Sequence, residues 1–169
     1  IKNIALSVLV LPVFLGSAVE AYPDKPIKMM IGYAPGSSTD IVGRMIANDL
    51  SLALKQPVVV ENRPGAGGRI GTEAAVSAPA DGYTLLMGSV TTLSINPSLF
   101  PKIAYDPQRD FAPVSLLSKR WSSILMHPSV PGTVKELFAW ARANPGKLNF
   151  ATNGPGSQSH LTGAWMADA

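Results

Sequence analysis

Cysteine is absent from this chain. That excludes disulfides and thiolate metal sites, and by itself says nothing about compartment. Charge is scarce, at 15% of residues, and the net charge is only +3. The basic residues are scattered, with no run of Lys or Arg, so no nucleic-acid surface is indicated. There are two histidines, His127 and His160, and two isolated histidines make a poor metal site. Paired carboxylates for acid–base work are also missing, since Asp40, Glu61 and Asp81 have no helical spacing that pairs them. The apolar run Ile4–Leu15 is too short to span a bilayer and is interrupted by Pro12. Trp121, Trp140 and Trp165 are too spread out for a stacking platform and read as core or surface residues.

What remains is a chain of 169 residues, 46% hydrophobic, with 15 Gly and 15 Pro. That is one domain's worth of core with many turns. The mild positive excess suits a small anionic partner, weakly. At the N-terminus, Lys2, the apolar run and Gly16–Ala21 have the order of a secretory signal peptide. Val19 and Ala21 place the cut after Ala21, with Ala18 as the alternative. The chain opens on Ile1 rather than Met, so its start is expected upstream.

The stretch Ile27–Asp40 organises the rest. An apolar run to Tyr33 meets Ala-Pro-Gly-Ser-Ser-Thr-Asp, and a helical pattern follows through Ile41, Val42, Met45, Ile46, Leu50, Ala53 and Leu54. This predicts a strand, a tight turn and a helix start. Unpaired amides and the helix dipole at such a start attract anions. The plainer alternative is that Ser38 or Asp40 only caps the helix. Pro57–Glu61 reads as a second buried strand. Asn62–Gly71 reads as a glycine-rich turn leading into a short helix over Thr72–Ala78. Tyr83–Met87 reads as a third strand, followed by a polar turn, Gly88–Thr92. Alternating strands and helices predict a parallel sheet, with strands one and three opening on one crevice. Ile95–Asp110 is expected to be irregular, and Phe111–Met126 to lead into a second lobe. A helix capped by Thr133 or Gly132 spans Val134–Ala143, Lys147–Ala151 is expected as a strand, and a helix begins at Leu161 after the turn Thr152–His160. Strand, small-residue turn and helix thus occur twice, which suggests a two-lobed clamp.

Catalytic motifs fare poorly. Gly65–Gly71 misses G-x-G-x-x-G because Ile70 stands at the sixth position, leaving a tightly turning loop with a smaller chance of lining the cleft or holding a nucleotide. Gly146-Lys147 is followed by Leu148, so no P-loop is present. There is no G-x-S-x-G elbow. The enzymatic alternative is an exported α/β hydrolase using Ser157 or Ser159 with His160. No catalytic residue, metal or cofactor is assigned.

Several stretches together resemble one family: Tyr22–Ile27, Ala34–Asp40, Val58–Gly68, Asp81–Leu86, Asp110–Ser115 and Gly154–Leu161. In order and spacing the chain resembles the Bug or TctC family, the substrate-binding proteins of tripartite tricarboxylate transporters. The resemblance implies an α/β, two-lobed periplasmic-binding-protein (Venus-flytrap) fold with parallel-sheet lobes, present as an N-terminal fragment because family members continue past Ala169. The corresponding division is 1–21 signal peptide, 22–110 first lobe and 111–169 the start of the second. It implies a periplasmic protein that captures a small carboxylate, such as a di- or tricarboxylate, an acidic amino acid or an aromatic acid. The partners would be membrane permease subunits, with no nucleic acid. Implied ligand-binding residues are Gly36, Ser37, Ser38, Thr39 and Asp40 in the first turn, Gly156, Ser157 and His160 in the second, with Ser89, Thr91 and Asn153 contributing. The family usually has Gly-Gly where this chain has Gly36-Ser37, so a side chain there narrows the pocket or adds a hydroxyl contact.

Overall fold

The computed structural model describes residues 22–130 and 132–168. The proposed signal peptide lies outside the described residues. Three parallel strands form one sheet in the order β2-β1-β3: β1 is Ile27–Ile31, β2 Val58–Asn62 and β3 Thr84–Met87. Ile27 pairs with Val58 on one side of β1, and Lys28 with Thr84 on the other. The central strand is the one without polar alternation, and four of its five residues are buried. β2 differs from the buried strand expected of its three valines. It is an edge strand; Val58 and Val60 pack inward while Val59 is 55% exposed. Side chains alternate between the two faces of a strand, and Val58 and Val60 share the face on which the core is packed while Val59 points to the other.

Helix α1 (Ser38–Leu54) follows β1 and is stopped at Lys55, which adopts the left-handed conformation two residues before Pro57. Its inward stripe is narrower than its apolar spacing suggested. Val42, Ile46, Ala47 and Leu50 join Met29, Ile31 and Met87 in the core, while Ile41 and Met45 are exposed. The cause is Gly43: a Cβ there would lie 2.6 Å from Ile31 Cδ1, so the helix approaches β1 along its small residues.

Helix α2 (Arg69–Val76) begins three residues earlier than its pattern suggested, after a 3-10 turn at Ala66–Gly68. The backbone of this turn lies directly on the end of β1. A Cβ on Gly71 would stand 2.6 Å from Gly32 Cα and 2.9 Å from the Arg63 carbonyl oxygen. Thr72, fully buried, ties the helix back by donating to the Gly68 carbonyl at 3.0 Å. After β3 the polar turn continues into a π-helical turn, Thr91–Ile95, and then α3 (Asn96–Leu99). Part of the segment expected to be irregular is therefore helical, with Pro97 in the first turn where its missing N–H costs nothing.

Helix α4 (Val134–Ala143) has the expected bounds and a capping box between Thr133 and Glu136. Helix α5 (Gln158–Asp168) starts three residues before Leu161. Lys147–Ala151 is not a strand; among the described residues none follows β3. An extended segment becomes a strand only by pairing, and no neighbour is supplied here. The same holds for 111–126, where Val114, Leu116, Trp121 and Leu125 are largely exposed. No described helix is long and apolar enough to cross a membrane.

Candidate functional site

The chain passes from β1 to β2 on one side and then to β3 on the other, so the strand order reverses beside β1. Loops leaving the carboxyl ends of such strands splay apart and leave a crevice. A cavity of about 420 Å³ lies there. Its wall comes from Gly32–Ala34 after β1, Pro64–Arg69 after β2, Phe100 after α3, and Asn153–Pro155 from the turn before α5. Segments distant in sequence therefore meet at one space, and the glycine-rich loop, expected mainly as a tight turn with a smaller chance of lining the cleft, forms much of its wall.

The lining carries one formal charge, that of Arg69, and no carboxylate. Arg69 opens α2, whose N-cap Gly68 supplies no side-chain acceptor. The Gly68 amide donates to the Gly65 carbonyl and the Arg69 amide to the Ala66 carbonyl, so only the later first-turn amides of that helix are left for whatever occupies the cavity. Arg69 stacks its guanidinium over Phe100, with Cζ 5.1 Å from the ring centroid. Its Nε lies 3.4 Å from Glu73 Oε1, within ion-pair distance, but is not aligned for a hydrogen bond and has no hydrogen-bond partner. Tyr33, also on the wall, shares a 2.7 Å hydrogen bond with Ser89 Oγ.

The residues proposed from the first turn stand outside this lining, and much of that turn is already engaged. The N-cap is Ser37, whose Oγ accepts from the Asp40 amide at 3.2 Å. Asp40 is 2% exposed. Its Oδ2 accepts from the Gly36 amide at 2.8 Å and from Arg44 Nε at 3.0 Å; Oδ1 accepts from Asn62 Nδ2 at 2.8 Å. The Arg44 hydrogen bond, with help from Gly36 and Asn62 and against the cost of burial, lowers the Asp40 pKa to about 2. The Ser37 amide donates to the Ala34 carbonyl. The turn therefore offers an outside anion at most the amides of Ser38 and Thr39, and the Ser38 hydroxyl is bonded by Arg120.

The second turn repeats this arrangement. Ser157 Oγ accepts from the His160 amide at 3.2 Å, and the Gly156 amide donates to His160 Nδ1 at 3.4 Å. The serine hydroxyl thus faces the histidine backbone, and the ring nitrogen faces Gly156, which is not the contact of a nucleophile with its base. Of the proposed residues, only Asn153 lines the cavity itself. Thr91 is buried just behind it, its methyl 3.7 Å from where a Gly67 Cβ would be. Arg69, Tyr33 and Phe100 were missed by sequence reasoning. The available signal was a lone cation inside a glycine-rich loop at a helix start.

This is the architecture of the periplasmic binding proteins. Solved structures similar to the chain include one described as a periplasmic transporter, at 36% identity and TM-score 0.75, covering 88% of this chain and 50% of that one. Another is MatC from Rhodopseudomonas palustris with bound malate, at 30% identity and TM-score 0.73, covering 87% and 50%. Among curated relatives, Protein BugT of Bordetella pertussis is 39% identical over 168 residues, 94% of this chain and 52% of BugT. Residues 42–169 match the model of the tripartite tricarboxylate transporter family receptor, TctC, and the chain belongs to that family. It spans about half the length of the curated relatives it matches.

Proposed function

We propose that this chain is the carboxylate-gripping part of a periplasmic receptor for a tripartite tricarboxylate-type transporter, handing its ligand to membrane permease subunits. The observation that carries the reading is the cavity's charge: one guanidinium, one helix start with no side-chain cap, and no acidic side chain. An ionised carboxylate would accept from Arg69 and from the first turn of α2, with Asn153 approaching from the opposite wall. Ser38 and Thr39 amides of the first turn are secondary donors in this reading. Membership in a receptor family, and a malate-bound structure among the relatives, support the same ligand class. Rotation of the Asn153–Pro155 turn towards the glycine-rich loop would close the cleft and present a new surface to the permease. The test is thermal unfolding of the full chain against a panel of di- and tricarboxylates, acidic amino acids and aromatic acids. A rise in melting temperature with a carboxylate is expected. No rise with any acid, together with a rise for a sugar or a cation, would overturn the reading.

A further inference from the structure

Phe100, the residue that follows α3, touches both walls of the cavity. Its amide donates to the Asn96 carbonyl at 3.0 Å, which ends α3 and leaves Phe100 extended. The Arg69 guanidinium lies over the ring, with Cζ 5.1 Å from the centroid. The far end of the ring meets the second turn. A Cβ placed on Gly156 would stand 3.3 Å from Phe100 Cε2 and Cζ, and 2.9 Å from Leu99 Cδ2. Gly156 has φ +76° and brings only backbone to this contact, so the turn seats directly on the ring. Phe100 itself and the neighbouring Asn153–Pro155 line the cavity.

What the ring does for Arg69 follows from the surroundings of that arginine. Its Nε is buried and lies 3.4 Å from Glu73 Oε1, which leaves the two Nη nitrogens as the end that can meet a ligand. A free arginine side chain has many rotamers, and an arrangement fixed before binding does not have to be fixed by the ligand. Glu73 restrains Arg69 along its own helix, and the face of Phe100 restrains it from across the crevice. We propose that Phe100 is a positioning residue for anion capture. It holds the Arg69 guanidinium ready, and its own seat is the Gly156 backbone, so the grip of one wall depends on the approach of the other. The ring itself makes no polar contact with the acid. The inference rests on the carboxylate reading above and deepens it by naming what aligns the cation.

The experiment is calorimetric titration of the full chain with malate, succinate, glutamate and benzoate, carried to millimolar concentration, with the tightest binder kept as the probe. Phe100→Leu keeps an apolar side chain and removes the aromatic face. It is expected to weaken binding of the probe by about three- to tenfold. In an Arg69→Gln background the same substitution should change affinity by less than about twofold, because the cation it aligns is gone. Gly156→Ala pushes on the ring from the other side and should show the same pattern, weaker binding with Arg69 present and little change without it. That second cycle carries the test if Phe100→Leu does not fold. Wild-type affinity in Phe100→Leu, or an equal loss with and without Arg69, overturns the inference, since the ring is then only a piece of wall, and leaves the carboxylate reading standing. If none of the acids binds the wild type, the carboxylate reading fails and the inference falls with it.

Discussion

Asp40 and His160 hold the same place in two copies of one turn. Each is the third residue after a serine whose Oγ takes its amide, at 3.2 Å in both cases, and each side chain accepts from the glycine just before that serine. Both glycines, Gly36 and Gly156, sit at positive φ, 81° and 76°. Gly-Ser-x-x-Asp and Gly-Ser-x-x-His are thus chemically different spellings of one reciprocal cap. The second version depends on an acceptor nitrogen at His160 Nδ1, so the proton of a neutral ring must sit on Nε2.

That equivalence can be checked by exchange. His160→Asp should keep the cap, since a carboxylate accepts from Gly156 as Asp40 does from Gly36. His160→Phe removes the acceptor at similar bulk and should cost about 1 kcal/mol, within the range of lost caps. Chemical denaturation of the two variants beside the wild type gives the comparison. Equal losses in both would show that the ring's packing, not the hydrogen bond, matters.

Asp40 gives a dependence on pH. Its folded pKa of about 2 lies below the usual 3.8, so the folded state holds the carboxylate in its charged form. The stabilisation is present in full above pH 3.8 and is lost as pH falls through about 2. Its size is about 2 kcal/mol at neutral pH. Asp40→Asn should lower stability at pH 7 by about that amount, with the difference from wild type shrinking towards pH 2. Urea denaturation at several pH values measures it. A constant difference across the series would mean that something other than ionisation is lost.

Much of the first half was legible because it is built from local signals: β1 is a buried apolar run, α1 follows a serine cap, and Thr133 begins α4 as its type suggests. Lys147–Ala151 misled for a physical reason. Strand identity is conferred by a partner, and sequence pattern cannot supply one. The site was only half legible. The serine–glycine turns were visible, but whether their amides face outward depends on Asn62 and Arg44, which fold back onto Asp40 from β2 and α1. Arg69 was visible, but its loop reads mainly as a tight turn with a smaller chance of lining the cleft, and nothing local marks the Arg69 charge as part of a site.

Backbone contact at the crevice floor sets a third expectation. In Gly71→Ala the new methyl meets Gly32 Cα and the Arg63 carbonyl, neither of which can move without displacing β1 or the loop. A loss of about 3 kcal/mol is expected, at the upper end of overpacking penalties. Gly43→Ala also creates a 2.6 Å approach, but to the terminal methyl of Ile31, which has rotamers to turn through. There the strain is offset by helix propensity worth about 1 kcal/mol, leaving a net change within about 1 kcal/mol of zero. Melting temperatures of the two variants decide it; comparable losses would refute the distinction between backbone and side-chain obstruction.

Arg69 carries the last expectation, because it separates charge from shape at the cavity. Arg69→Gln keeps part of the aliphatic stem but removes the guanidinium over Phe100 and with it the lining's one formal charge. A hydrogen bond to a charged group contributes about 1.5–3 kcal/mol. Affinity for a bound dicarboxylate should therefore fall by roughly 10- to 100-fold. Stability should change little, since the Glu73 contact is misaligned and the buried Nε that the substitution removes has no hydrogen-bond partner to lose. Arg69→Lys should recover only part of the affinity, as an ammonium cannot make the paired contact of a guanidinium. The wild type should bind more weakly as salt is raised, and Arg69→Gln should show a shallower dependence. Unchanged affinity and an unchanged salt response in Arg69→Gln would move the anion seat away from α2, to the Ser38–Thr39 amides of the first turn.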